Sequence, residues 1–365
     1  MDTRLKGLFL FMMVSALGFG FMHHLIPKET LNFERLHIFL FNLCSGGTLL
    51  VYYTEGRKKI SASTVLFLSL SIFFAFTAFF EWYLAAFIIP ILLFLLMEKI
   101  RIRHFGAFFP LAIFSGKEPV SRKFHQASLL CLSIGLLLSS FAIFNSEYGK
   151  WFFNEKFKLD TFFLGFSFPV SLISFSLIFT LMKGESMAPS RFLRETSFWV
   201  INLGVIIFFL FILAGMFKSQ LFAATLLFLA VSLILFLYNH EGLRMQEKAF
   251  LTSGIFFLLV TSLTGIAYIL LAASPWYLPE YSEPLLRLHA FTALYGWNLS
   301  GLVIIIRDGD FPLQLHSKKV IFFHWLTVFI LCPVGYFSPW AAFFAVFFYA
   351  LLLMILFFAE ERRKK

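Results

Sequence analysis

Twelve stretches of apolar residues, nearly free of charge, follow one another along this chain. A bilayer's hydrocarbon core is about 30 Å thick, and an α-helix needs about 20 apolar residues to cross it. Spans are expected near Gly7–Ile26, Leu36–Thr54, Ile60–Phe80, Trp82–Met97, Ser128–Phe144 and Phe162–Met182. The second half gives Phe198–Phe217, Gln220–Tyr238, Leu251–Ala272, Leu285–Ile306, Val320–Tyr336 and Pro339–Ala359. No water inside a bilayer satisfies exposed peptide groups, so each span must close its own hydrogen bonds as a helix. The expected fold is all-α: one polytopic transmembrane domain over residues 1–365, with about twelve helices. Composition agrees. Charged residues make up 14% of the chain, against about 25% in soluble domains. The 55 phenylalanines suit lipid-facing helix surfaces.

The charges orient these helices. Of the 30 Lys and Arg residues, 23 fall in the termini and connections at one end, and seven at the other. Basic connections stay in the cytoplasm, so both termini are expected inside, in the cell (inner) membrane. The first span lacks an A-x-A cleavage site and is read as a retained helix. The net charge of +10 is gathered between spans and no nucleic-acid motif is present. The basic residues therefore point to anionic lipid headgroups at the cytoplasmic face. The inner connection Glu98–His125, basic with an apolar centre at Phe108–Leu111, is expected on the inner membrane surface. The outer connection Ser146–Asp160, with Trp151, Phe152 and Phe153, is expected at the outer interface. Cys44, Cys131 and Cys332 lie inside spans without disulfide or ligand spacing.

Ionisable groups at membrane depth are costly and carry function by default. One pattern occurs twice. Arg35-Leu36-His37-Ile38-Phe39 opens the second span and Arg287-Leu288-His289-Ala290-Phe291 opens the tenth, both from outside. On the face below His37 come Phe41, Cys44, Ser45 and Thr48; below His289 come Thr292, Ala293, Gly296, Trp297 and Ser300. Small, weakly polar faces mark packing surfaces, so both histidines are expected to face the interior. Two imidazoles at one depth suit the axial positions of haem b, with Arg35 and Arg287 placed for its propionates. The alternative is two interfacial histidines with snorkelling arginines. A zinc or copper site from His23, His24, His37 and Glu34 is a further option. His324 enters the eleventh span from inside and reads as interfacial. Asn42, Asn202 and Asn298 read as interhelical hydrogen-bonding groups.

Twelve spans, internal termini and histidines at the outer ends of spans two and ten resemble subunit I of the haem-copper oxidase superfamily. That fold has three equivalent arcs of four helices, in which helices two, six and ten correspond. The resemblance implies that helices two and ten supply low-spin haem ligands. His289-Ala290-Phe291-Thr292-Ala293-Leu294-Tyr295-Gly296 is similar to the tenth-helix signature of the nitric oxide reductase branch. The stretch from His289 through Arg307-Asp308-Gly309 to Pro312-Leu313 is similar to the NnrS-type membrane haem proteins. The chain also departs from the family. Spans six and seven carry no histidine for a copper or non-haem iron, so no binuclear oxygen or nitric oxide chemistry is expected. The family's tenth helix has two histidines two residues apart; here the second position is Phe291, which aligns His289 with the high-spin ligand. The expected roles are electron transfer or gas and redox response.

Twelve helices with internal termini also suit a secondary transporter. Glu55-Gly56-Arg57-Lys58-Lys59 resembles the end of the loop motif that major facilitators carry between helices two and three. A transporter's two six-helix halves should superpose, whereas the oxidase-like reading requires three arcs of four. An assembly or structural role is the third option.

Overall fold

The computed structural model describes residues 1–27, 30–56, 60–151, 163–184, 188–274, 277–308, 315 and 317–359. Arg57–Lys59, Phe152–Asp160, Gly309, Pro312, Leu313 and the tail from Glu360 lie outside the described residues. Twelve helices follow in chain order: α1 Thr3–Gly20, α2 Phe33–Thr54, α3 Ala62–Phe79, α4 Tyr83–Phe105, α5 Val120–Gly149, α6 Gly165–Thr180, α7 Ala188–Leu213, α8 Phe217–Glu241, α9 Gln246–Ala272, α10 Ser282–Arg307, α11 Lys318–Phe337 and α12 Pro339–Phe358. Eleven are long and apolar enough to cross a membrane; α6 is apolar but shorter. No strand occurs among the described residues, beyond one isolated bridge between Met182 and Gly242. This is the architecture of a multi-pass membrane protein.

Several helices run past the apolar stretch at the basic end. Helix α4 continues to Phe105, α5 begins at Val120 and α7 at Ala188. Hydropathy marks the hydrocarbon thickness, and a helix keeps its hydrogen bonds beyond it. The connection expected over Glu98–His125 is therefore mostly helix. Glu81 joins α3 to α4 in a turn so tight that its φ is +59°, a conformation uncommon outside glycine.

Three helices, α2, α6 and α10, stand at the centre, and the chain is taken as three successive arcs of four, α1–α4, α5–α8 and α9–α12, one around each. In each arc the second helix stands at the centre. Helices α2, α6 and α10 touch one another in all three pairs. The arcs join head to tail: α4 packs on α5, α8 on α9, and α12 on α1. The central position explains the burial of α2 and α10, the most enclosed of the eleven long spans. Wider π-helical turns occur at Phe39–Gly47 in α2, Phe163–Ser167 at the start of α6 and Thr292–Asn298 in α10, and also at Asn145–Gly149 in α5 and Leu326–Leu331 in α11. Such turns are rare and recur at functional sites.

Glycines let the central helices meet. A Cβ on Gly135 of α5 would stand 2.2 Å from the Cα of Gly165 on α6, and one on Gly301 of α10 would stand 1.9 Å from Ser174 Oγ on α6. Close backbone approach at small residues is how helices associate in lipid. At the basic end, Lys123 of α5 holds Glu195 of α7 at 2.7 Å, and Arg194 holds Glu241 of α8 at 2.5 Å. The Arg307 guanidinium donates to the carbonyls of Phe357 and Ala359, capping the end of α12.

Candidate functional site

The two Arg-Leu-His-x-Phe segments sit at the same place in their arcs. Residues two apart on a helix point about 200° apart, so arginine and histidine leave on opposite sides. Arg35 turns toward the third helix of its arc, donating to the Ala78 carbonyl of α3 at 2.8 Å and lying 3.5 Å from Glu81. Arg287 likewise turns toward its third helix and lies 4.0 Å over the Tyr336 ring of α11. It also pairs with Glu34 of α2 at 2.6 Å and Glu283 at 3.3 Å.

Each histidine turns instead to the first helix of its own arc. His37 Nδ1 lies 2.7 Å from the Ala16 carbonyl of α1. His289 Nδ1 lies 2.9 Å from the Thr261 carbonyl of α9, with Thr264 Oγ1 at 3.4 Å. Four residues beyond each carbonyl stands a glycine pressed against the imidazole. A Cβ on Gly20 would be 2.9 Å from His37 Nδ1, and one on Gly265 would be 3.2 Å from His289 Cε1. The glycine clears the flank of the helix so that the ring can reach the carbonyl. This carbonyl-and-glycine cradle is built twice, and the sequence motif alone did not reveal it.

The two histidines turn to different helices. The structure places His37 against α1 and His289 against α9, and no ring contact joins the two among the described residues. The position of α10 on the side facing α1 is 291, where Phe291 stacks near Phe21 and Tyr295.

Their surroundings differ. His37 is 7% exposed, and the phenol of Tyr295 lies 3.0 Å from the same Nδ1 that faces Ala16. One nitrogen carries at most one proton, so the two partners suit opposite tautomers: Nδ1–H donates to Ala16, and bare Nδ1 accepts from Tyr295. Tyr295 was not singled out by the sequence. It joins three helices, because its backbone carbonyl accepts from His324 Nε2 of α11 at 2.7 Å. His324 is fully buried against Phe250 and Phe257 rather than interfacial. The cavity at this end, between Phe19, Gly20, Glu34 and Tyr336, measures about 10 Å³, room for about one water.

His289 borders a more open face. On α10 it is half-buried, as are Ala290 and Ala293; on central helix α6, Ser167 and Ser171 are half-buried too. His289, Ala293 and Trp297 follow one another at four-residue spacing. Trp297 Nε1 donates to Ser171 Oγ at 3.0 Å, so this stripe of α10 runs down to the serines of α6. Asn298 completes the contact, accepting from Ser171 at 2.8 Å and donating to Ser167 Oγ at 3.1 Å. Helix α7 is held to α5 at the basic end by Lys123–Glu195 and by Phe198 against Phe124. Past Gly204 none of its residues is buried. On the outer half of α6, from Gly165 to Leu172, Ser167 and Ser171 are the two residues that are not fully buried.

Of the other expected groups, Asn298 bonds between helices as read. Asn202 donates to Phe198 in its own helix, and Asn42 Oδ1 has no hydrogen-bond partner among the described residues. His23 and His24 bond to the carbonyls of Tyr336 and Gly335. No group of three or more His, Cys, Asp or Glu gathers as a metal site among the described residues. No protein-family model, curated protein or solved structure matches the chain.

The fit of a haem follows from these contacts. A ligating histidine characteristically donates its other N–H to a carbonyl or carboxylate. His289 has that arrangement, with Nδ1 against Thr261 and Nε2 left as the lone-pair nitrogen, beside half-buried Ala290 and Ala293. The residues fit one axial imidazole there. They do not fit a haem clasped between His37 and His289, and Arg35 and Arg287 are already engaged by protein partners.

Proposed function

We propose that this chain is a haem-binding relative of the haem-copper oxidase subunit I scaffold, without a binuclear centre, acting in electron transfer or gas and redox response. His289 holds haem b in this reading, and His37 serves the Tyr295 junction. Both termini lie on the cytoplasmic side of the cell membrane, as the basic connections require. The observation that carries the reading is the cradle of His289 set on the central helix of three head-to-tail arcs. A transporter built of two six-helix halves gives no reason for closure at α4–α5, α8–α9 and α12–α1, so the arc pattern favours the oxidase-like scaffold.

Haem bound here would supply one-electron redox chemistry. The protein's own residues do the rest. Thr261 fixes the His289 tautomer through its carbonyl, and Gly265 lets the ring approach. Ser167 and Ser171 place hydroxyls on the same face.

The test is the absorption spectrum of protein purified in mild detergent, oxidised and dithionite-reduced, after expression with haem supplied. A Soret band is expected that His289→Ala abolishes and His37→Ala retains. Added imidazole should restore it in His289→Gly. A featureless wild-type spectrum overturns the proposal and leaves the transporter reading in front. Loss in His37→Ala with retention in His289→Ala overturns the ligand assignment.

A further inference from the structure

The connection between α4 and α5 is a built platform at the basic end, seated on the bundle by buried Ile113 and by the Phe114 ring, 5.4 Å from that of Trp199 on α7. Helix α4 ends at Gly106 with φ +76°, which turns the chain back on itself. Arg101, 2% exposed, then fastens the turn by donating to the Phe108 carbonyl at 2.6 Å while it pairs with Glu98 at 2.6 Å. Leu111–Phe114 forms one short helical turn anchored by buried Ile113. Held this way, the platform presents Phe108, Phe109, Leu111 and Phe114 outward at 63, 67, 73 and 69% exposure.

Four large apolar side chains fixed in the open, beyond the spans, need a cover. The charges around them select it. Glu98 is taken by Arg101, Glu118 by Arg122 at 2.9 Å, and Lys123 by Glu195. Lys99, Arg103 and Lys117 are exposed and enter no ion pair among the described residues. An apolar wedge rimmed by unpaired cations, at the end of a helix that has just left the hydrocarbon, matches the headgroup and acyl boundary of an anionic leaflet.

We infer that residues Phe108–Phe114 form a membrane-surface wedge that binds anionic phospholipid, with Lys99, Arg103 and Lys117 on the headgroups. The wedge pins the α4–α5 junction, and so the seam between the first two arcs, to the leaflet. This inference is independent of the haem reading.

Phe109→Cys, in a Cys131→Ala background, carries an environment-sensitive fluorophore; Cys44 and Cys332 are fully buried and do not compete. The labelled full-length protein is placed in nanodiscs of phosphatidylcholine with or without phosphatidylglycerol. Nitroxide lipid should quench the probe and aqueous iodide should not, more strongly so with phosphatidylglycerol present. Lys99→Gln, Arg103→Gln and Lys117→Gln should weaken the preference for the anionic lipid by about fivefold each. A second reading uses the unaltered protein: native mass spectrometry should show phosphatidylglycerol retained over phosphatidylcholine. Iodide quenching without nitroxide quenching overturns the wedge, and equal behaviour in the two lipids overturns the headgroup recognition.

Discussion

His37 and His289 occupy equivalent places in the first and third arcs, in the same five-residue pattern, each against a carbonyl and a glycine of its arc's first helix. Around His37 the space is filled. Tyr295 reaches up from α10, Phe291 and Phe21 close the side, and the nearby cavity holds about one water. Around His289 the neighbours are Thr261, Thr264 and Gly265 of its own arc, the ring is half-buried, and no residue of α7 past Gly204 is fully buried. An internal repeat thus fixes how a side chain is held, while the neighbouring arc decides whether anything can reach it. Function is argued for the open copy, and the closed copy shows what the same cradle does as a packing device.

The largest effect is expected where the open face meets its scaffold. Gly135→Leu would drive a side chain into the backbone of Gly165. Neither helix can yield there, because the contact is backbone on backbone. The variant should fail to give monodisperse protein on size-exclusion chromatography. Normal folding of this variant would mean that α5 and α6 do not bound the face as described.

The glycines of the two cradles compare the copies directly. Gly20→Ala places a methyl 2.9 Å from a ring fixed on both sides, by Ala16 and Tyr295. Overpacking of a filled site typically costs about 1–3 kcal/mol. Gly265→Ala places its methyl 3.2 Å from a ring that is less enclosed and has to give by only a few tenths of an ångström. Thermal unfolding in detergent should show Gly20→Ala clearly destabilised and Gly265→Ala close to the parent. Equal losses would mean that the two histidines are equally confined.

Much of this was legible in the chain. Hydropathy pointed to twelve apolar helices, of which eleven are long enough to cross a membrane, because lipid imposes one length and one polarity on every crossing helix. The Arg-Leu-His-x-Phe repeat pointed to corresponding central helices. The direction of each histidine was not legible. Helical spacing fixes that Arg287 and His289 diverge, but which of them meets α2 depends on Glu34, more than 250 residues away. Tyr295 carries no signal in the sequence, and His324 reads there as interfacial, for a related reason. A tyrosine inside an apolar run looks like core, and its value here lies in a hydroxyl and a carbonyl serving two other helices.

Tyr295→Phe removes one of the two partners of His37 Nδ1 and leaves the other. The Ala16 carbonyl at 2.7 Å still takes the ring proton, so no buried nitrogen is stranded. A loss of about 1 kcal/mol is expected, the usual net value of a hydrogen bond. Unfolding temperature would register it. A much larger loss would mean that Tyr295, rather than the cradle, holds His37 in place.

The smallest effect concerns the pair that ties the outer ends of α2 and α10 together. Arg287 and Glu34 meet at 2.6 Å, with side chains 17% and 38% exposed. Glu34 is more than a third exposed, so solvent screening discounts the attraction. Such pairs are worth about 0–1 kcal/mol. Arg287 keeps Glu283 and the Tyr336 ring when Glu34 is neutralised. Glu34→Gln should therefore shift stability only slightly, and less still at high salt. A loss that is large and insensitive to salt would show that the closed copy is held from its rim, by this ion pair, and not from within by the carbonyl, the glycine and the phenol.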